Sequence, residues 1–246
     1  MLVQSHKSYQ MDTNARKYVC PLEVTIDAIS GKWKCLILWW LRRDARRFSE
    51  LKLLISDITQ KVLTQQLREL EEEGLIYRES YPESPPRVEY ALTPHGQTFT
   101  PIVELMCEWG KQHKPNYQFS YCRLEGIKVL VVSHDATALR TSLEKNSAVV
   151  FAATTSEEMF NLLEGVQLDA ALIDLTMLSN NDVYLFTSHI KEAEEKSGKV
   201  LPKVAIIPCN NPFERGRAFK MGFAVHISKP VETIEIISTL ASVTPC

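Results

Sequence analysis

Five short apolar runs, each followed by an amphipathic stretch, constrain the second half of the chain more than any other feature. The runs are Ile127–Ser133, Ala148–Ala153, Ala170–Asp174, Lys203–Pro208 and Ala224–Ser228. Helical patterns follow them over Asp135–Lys145, Ser156–Glu164, Val183–Lys196, Glu214–Met221 and Val231–Ala241. A strand apolar on both faces must be covered on both, and parallel neighbours need a crossover helix between them. The pattern therefore predicts a (βα)5 doubly wound parallel sheet, with any ligand chemistry at the carboxyl ends of its strands.

Residues 18–113 read differently, as helices with one hairpin. Pro21–Ile29 carries Leu22, Ile26 and Ile29 at helical spacing, and Gly31 ends it. Trp33–Leu41 is a strongly apolar second helix, and Phe48–Ile55 a third. Thr59 stands where an N-cap belongs, ahead of a helix over Gln60–Glu73, and Gly74 follows as its stop. Leu75–Tyr81 and Arg87–Thr93 are strand-like runs around a proline-rich loop. Pro94 then opens a long helix to about His113. Lys114–Gly126 reads as a connector. The expected organisation is an N-terminal arm (1–17), a helical domain (18–113), a linker (114–126) and an α/β domain (127–246).

Helix, helix, helix, hairpin, helix is the layout of a winged helix-turn-helix. The stripes of Gln60–Glu73 support it. Leu63, Leu67 and Leu70 make a core face, whereas Lys61, Thr64, Gln65 and Arg68 make a polar one. A helix seated in a DNA major groove needs this division, because one face packs while the other offers donors to bases and phosphates. Glu69 and Glu71–Glu73 at its far end repel phosphate, so the N-terminal half belongs in the groove. A solvated amphipathic helix is the alternative.

Composition narrows the function classes. The 246 residues are 45% apolar and 24% charged, which excludes a disordered chain, and the net charge of −2 shows no global basic excess. Through Lys114 there are 16 basic and 15 acidic residues, and beyond it 12 and 15. No apolar run reaches the roughly 20 residues of a membrane span, and MLVQSHKSYQ lacks a signal-peptide layout. A cytoplasmic, nucleoid-associated protein without membrane contact is expected. The six cysteines (Cys20, Cys35, Cys107, Cys122, Cys209 and Cys246) include no CxxC pair, so neither a disulfide framework nor a zinc site is expected. The sequence holds no nucleophile–base pair, phosphate loop or cofactor motif; an enzyme, a catalytic residue, a metal and a cofactor are not expected.

The segments CPLEVTIDAISGKWKCLIL, RFSELKLLISDITQKVLTQQLRELEEEGLI, YPESPPRVEYALTPHG and CEWG resemble the HxlR family of bacterial winged-helix transcription regulators, nearly continuously over Cys20–Gly110. The resemblance implies a homodimer that binds double-stranded DNA, with Gln60–Glu73 as recognition helix and the Tyr81–Arg87 loop as wing. It places Gln60, Lys61, Thr64, Gln65 and Arg68 in the major groove, Ser49 on phosphate, and Arg87 and Arg78 at the wing. It also implies packing of the N- and C-terminal helices across the dimer axis, where Trp33 and Trp109 lie; burial within one chain is the alternative. Cys20 precedes Pro21 at the positive end of the first helix, a setting that favours thiolate. In several family members a cysteine there senses oxidants or electrophiles, which makes Cys20 a redox-sensor candidate, joined by Cys107 or by the Cys20 of a second copy. An unreactive structural cysteine is the alternative. Cys35 reads as core.

Residues Ile127–Val243 resemble the CheY-like receiver domain of response regulators. AALIDLTML places Asp174 at the phospho-acceptor position, and ISKP places Lys229 at the lysine position. The family's acidic pair is replaced by Ser133 and His134, its hydroxyl position by Pro208 and its aromatic switch position by His226. Phosphoryl transfer to a carboxylate needs a hard divalent cation, so these losses predict a degenerate receiver. Its expected role is dimerisation, or binding a regulatory protein or small effector. The alternatives are a response regulator phosphorylated on Asp174, and an interaction adaptor that does not bind DNA.

Overall fold

The computed structural model describes residues 18–55, 57–83, 86–113 and 124–244, the side chains of Lys196 and Ser197 excepted. The expected N-terminal arm, residues 114–123 of the expected linker, Cys122 and Cys246 lie outside the described residues, as does the loop tip at Ser84 and Pro85.

The N-terminal part runs α1 (Pro21–Ala28), α2 (Lys32–Leu41), β1 (Arg46–Arg47), α3 (Phe48–Leu54), α4 (Gln60–Glu72), β2 (Ile76–Tyr81), β3 (Arg87–Leu92), α5 (Pro94–Gln97) and α6 (Thr100–His113). This is a winged helix-turn-helix. Its sheet has the order β1-β3-β2, all antiparallel, with Tyr81 opposite Arg87 at the loop end of the hairpin. Two features differ from the sequence expectation. The two-residue strand β1 is too short to show a period, and only pairing with Tyr90 and Glu89 of β3 defines it. The single helix expected from Pro94 to His113 is two helices, broken at Thr98 and Phe99. Pro101 has no N–H to donate to Gln97, so a helix must restart just ahead of it, and Phe99 turns into the core at the break. Gly96 sits hard against the chain: a Cβ there would lie 1.8 Å from the Leu75 carbonyl oxygen.

The C-terminal part runs β4 (Lys128–Val132), α7 (Ala136–Glu144), β5 (Val149–Ala153), α8 (Ser156–Gly165), β6 (Ala170–Asp174), α9 (Asn180–Ser197), β7 (Lys203–Pro208), α10 (Pro212–Lys220), β8 (Val225–Lys229) and α11 (Thr233–Val243). The five strands form one parallel sheet of order β5-β4-β6-β7-β8. The side-chain alternation of a strand divides its apolar residues between two faces. Val129, Val131, Leu172, Val204 and Ile206 pack with α7 and α11, whereas Leu130, Val132, Ile173, Ala205 and Ile207 pack with α8 and α9. Helices on both faces make this the doubly wound α/β architecture that the five runs predict.

The first of these faces does not end at the sheet. Its core is continuous with that of the winged helix, through Ile37, Leu51, Leu63 and Leu67 on one side and Ile236, Ile237 and Leu240 of α11 on the other. The two parts therefore share one hydrophobic core.

Candidate nucleic-acid interface

α4 begins where Thr59 Oγ1 accepts a hydrogen bond from the Val62 amide at 3.2 Å. It ends at Gly74, whose φ of +67° is left-handed backbone that a residue without a Cβ adopts without strain. Leu63, Leu67 and Leu70 are fully buried. Gln60, Lys61, Thr64, Gln65 and Arg68 all lie on the exposed side, and the Arg68 side chain is 74% exposed. The C-terminal part leaves this ridge uncovered. α4 is also anchored from α2: buried Lys34 places Nζ 3.0 Å from Glu69 Oε2. Gln65 and Gln66 donate to the two oxygens of the same carboxylate at 2.9 and 3.0 Å. Ser49 is exposed in the first turn of α3.

The wing candidates separate. Arg78 is exposed on β2, and alternation sets it on the opposite face of the hairpin from Arg87. Arg87 is only 4% exposed. Its guanidinium donates to Glu83 at 2.9 Å and to Glu89, and stacks 3.7 Å from the Tyr81 ring. The expected DNA contact of Arg87 at the wing is thus corrected: two carboxylates and a ring already occupy the group, and it faces protein rather than solvent. Tyr81 donates to Glu79 at 2.8 Å. Burial, that hydrogen bond and the nearby Glu89 charge push its phenol up to about 12.

Arg87 belongs to a buried polar layer between the two parts, which sequence reasoning did not find. Arg215 of α10 donates to Asp44 at 2.6 Å and to Glu89 at 2.8 Å. Ser228 donates to Asp44 at 2.5 Å. Arg46 binds Glu235 at 2.6 Å and donates to the His226 carbonyl. Glu50 accepts from the His226 amide at 3.1 Å and lies 2.7 Å from His226 Nδ1. Strand β8 is a sheet edge, and edge N–H and C=O groups need partners; at His226 Glu50 and Arg46 supply them. Burial alone would push the Glu50 carboxyl up. The charge and hydrogen bond of His226, with Arg47 and Arg46, reverse this and hold it well below the usual range. The one trace of the layer in the sequence is the pair His226 and Ser228, polar residues that interrupt the last apolar run.

At the carboxyl end of the sheet, Lys229 Nζ lies 2.7 Å from Asp174 Oδ2 and donates to Thr176 Oγ1 at 2.8 Å. Asp174 is buried, and its other oxygen accepts from the Thr176 amide and hydroxyl. The structure thus joins Asp174 and Lys229 in an ion pair. Lys229 is flanked by two residues that contact the winged helix: Ser228 on Asp44, and Pro230, whose carbonyl accepts from Arg43 at 2.5 Å.

Cys20 is exposed at the N-cap of α1, and Cys107 is half-buried on α6; both are free thiols, as are Cys35 and Cys209. Trp33 is half-buried against the core and Trp109 is 58% exposed. Among the described residues no helix is long and apolar enough to cross a membrane.

Residues 28–118 match the model of the HxlR-like helix-turn-helix family. The chain is 51% identical over 102 residues to an uncharacterized HTH-type transcriptional regulator of Methanothermobacter thermautotrophicus, covering 42% of this chain and 78% of that one. It is 49% identical over 98 residues to the HTH-type transcriptional regulator YtcD of Bacillus subtilis, covering 40% and 78%. The solved structure of the redox regulator HypR in its oxidized form shares 47% identity, over 38% of this chain and 96% of that one, with a TM-score of 0.37. Half of the residues are shared along more than three quarters of the first relative, and the chain belongs to the HxlR-like helix-turn-helix family.

Proposed function

We propose that the protein is a sequence-specific, dimeric, DNA-binding transcription regulator of the cytoplasm, and that its C-terminal part is a degenerate receiver carrying signal or partner input. The uncovered ridge of α4 carries this reading: Gln60, Lys61, Thr64, Gln65 and Arg68 stand in solvent directly behind a fully buried leucine stripe. Ser49 and Arg78 flank it as phosphate contacts that set register, while Gln65 and Arg68 supply base recognition. The test is duplex binding against salt. A steep fall in affinity with salt is expected, together with loss of selective binding in the Gln65→Ala, Arg68→Ala double variant. Unchanged binding by that variant rejects the reading.

The dimer rests on apolar surface left open by the monomer. α1 buries none of its residues, and Leu22 and Ile26 are exposed, as are Leu105 and Trp109 of α6. A second copy that covers α1 and α6 accounts for both. Cys20 sits at the entrance to α1, so oxidation there acts on the same surface; equal DNA affinity of wild type and Cys20→Ser with and without oxidant rejects the sensor role. In the C-terminal part the Asp174–Lys229 pair supports a retained signalling position. Labelling by acetyl phosphate that disappears in Asp174→Asn would favour a phosphorylated regulator over a degenerate one.

A further inference from the structure

We propose that Glu69, pinned by buried Lys34, is a positioning residue that orients the side-chain amide of Gln65 for reading adenine. The inference rests on the DNA-binding reading and deepens it.

A primary amide can usually turn over and exchange its donor and acceptor ends. At Gln65 one orientation is excluded. Nε2 donates to Glu69 Oε1 at 2.9 Å; turned over, the amide would set its oxygen against a carboxylate oxygen, two acceptors in contact. Glu69 is itself held from two further directions. Its other oxygen takes Lys34 Nζ at 3.0 Å and Gln66 Nε2 at 3.0 Å. The Lys34 side chain is 6% exposed and belongs to α2, so the recognition surface is fixed from the scaffold behind it. Hydrogen bonds from Gln65 and Lys34 hold the Glu69 carboxyl below the usual range, which keeps it an acceptor at neutral pH.

With one N–H committed, Gln65 keeps one N–H and both lone pairs of Oε1, and among the described residues no donor reaches that oxygen. Adenine presents an N7 acceptor beside an N6 donor in the major groove, which matches both free groups. Guanine presents two acceptors, N7 and O6, and would leave Oε1 facing one of them. Thymine O4 can use only the N–H, and cytosine N4 only the oxygen. Fixing the amide therefore selects the one base edge that uses both of its free groups.

The experiment is selection from randomised duplexes by the full chain, paired with NMR of the Gln65 side-chain amide. Wild type is expected to prefer adenine at one position by at least about fivefold, the low end of a bidentate contact. Gln65→Ala should erase the preference. Glu69→Gln and Lys34→Met should flatten it while still binding duplex DNA, and should shift the Gln65 amide signals in the free protein. Lys34 reaches Gln65 only through Glu69, so a merely structural Glu69 would leave base preference intact. An adenine preference unchanged in a folded Glu69→Gln variant overturns the inference, as does a wild type without that preference. If Lys34→Met does not fold, Glu69→Gln decides. A wild type that binds no duplex rejects the DNA-binding reading instead, and the amide signals then test the positioning alone: no shift in Glu69→Gln overturns it.

Discussion

Buried charges set the behaviour of single residues in this protein. Glu50 is buried among Arg46, Arg47 and His226, and removing one member of such a group strands the others. Glu50→Gln should cost about 3 kcal/mol of stability at neutral pH, measured by denaturant unfolding. The folded-state carboxyl is depressed, so its contribution is complete above the unfolded glutamate value of about 4.3 and is lost as pH falls through the lower folded value. The difference between wild type and variant should therefore shrink only in acid. The two wing arginines should part in the same way. Arg87→Ala removes the partner of two buried or half-buried carboxylates and should cost about 3 kcal/mol. Arg78→Ala, on the exposed face, should stay within about 0.5 kcal/mol while weakening duplex binding. Equal thermal shifts in the two variants would contradict the assignment of Arg87 to the protein interior.

At the scale of elements, periodicity made most of the fold legible. α4 follows its leucine spacing, its cap and its glycine stop, because an amphipathic helix writes all three locally. The five parallel strands were equally plain. The break between α5 and α6 was harder: Pro101 signals it, but only the seating of Phe99 and the contact of Gly96 with Leu75 show where the chain turns. Gly96→Ala should cost about 3 kcal/mol, because its Cβ meets backbone that cannot move aside. Thr59→Ala should cost about 1 kcal/mol by removing the cap of α4. Both are read by chemical denaturation, and a stable Gly96→Ala protein would show that the α5 turn can shift. Strand β1 was invisible because two residues carry no period.

For the whole molecule the decisive feature is that the winged helix and the α/β part share one core and one charged layer. Surface pairs such as Lys220–Glu83 contribute little, whereas Arg215 sits nearly buried between Asp44 and Glu89. All four tryptophans lie in the N-terminal part, so tryptophan fluorescence reports that part and far-ultraviolet circular dichroism reports both. The two signals should unfold together in wild type. In Arg215→Ala, where Asp44 and Glu89 lose the guanidinium they share, they should separate. Separate transitions in wild type would show that the two parts are energetically independent. The same layer ties residues 228 and 230 to the corner before β1, next to the Asp174–Lys229 pair.

Local chemistry along the chain determined the helix and strand order apart from β1 and the α5–α6 break, the doubly wound sheet, the two-faced helix α4 and the polar ridge on it, because each depends on spacing within one element. Tertiary structure alone decided that Arg87 is interior, that Glu50 pairs with His226 and Arg215 with Asp44 and Glu89, and that residues of the winged helix partner the edge strand β8. The contacts of Glu50, Arg215 and β8 join residues more than a hundred positions apart, and a charge in a sequence looks the same whether water or an opposite charge will surround it.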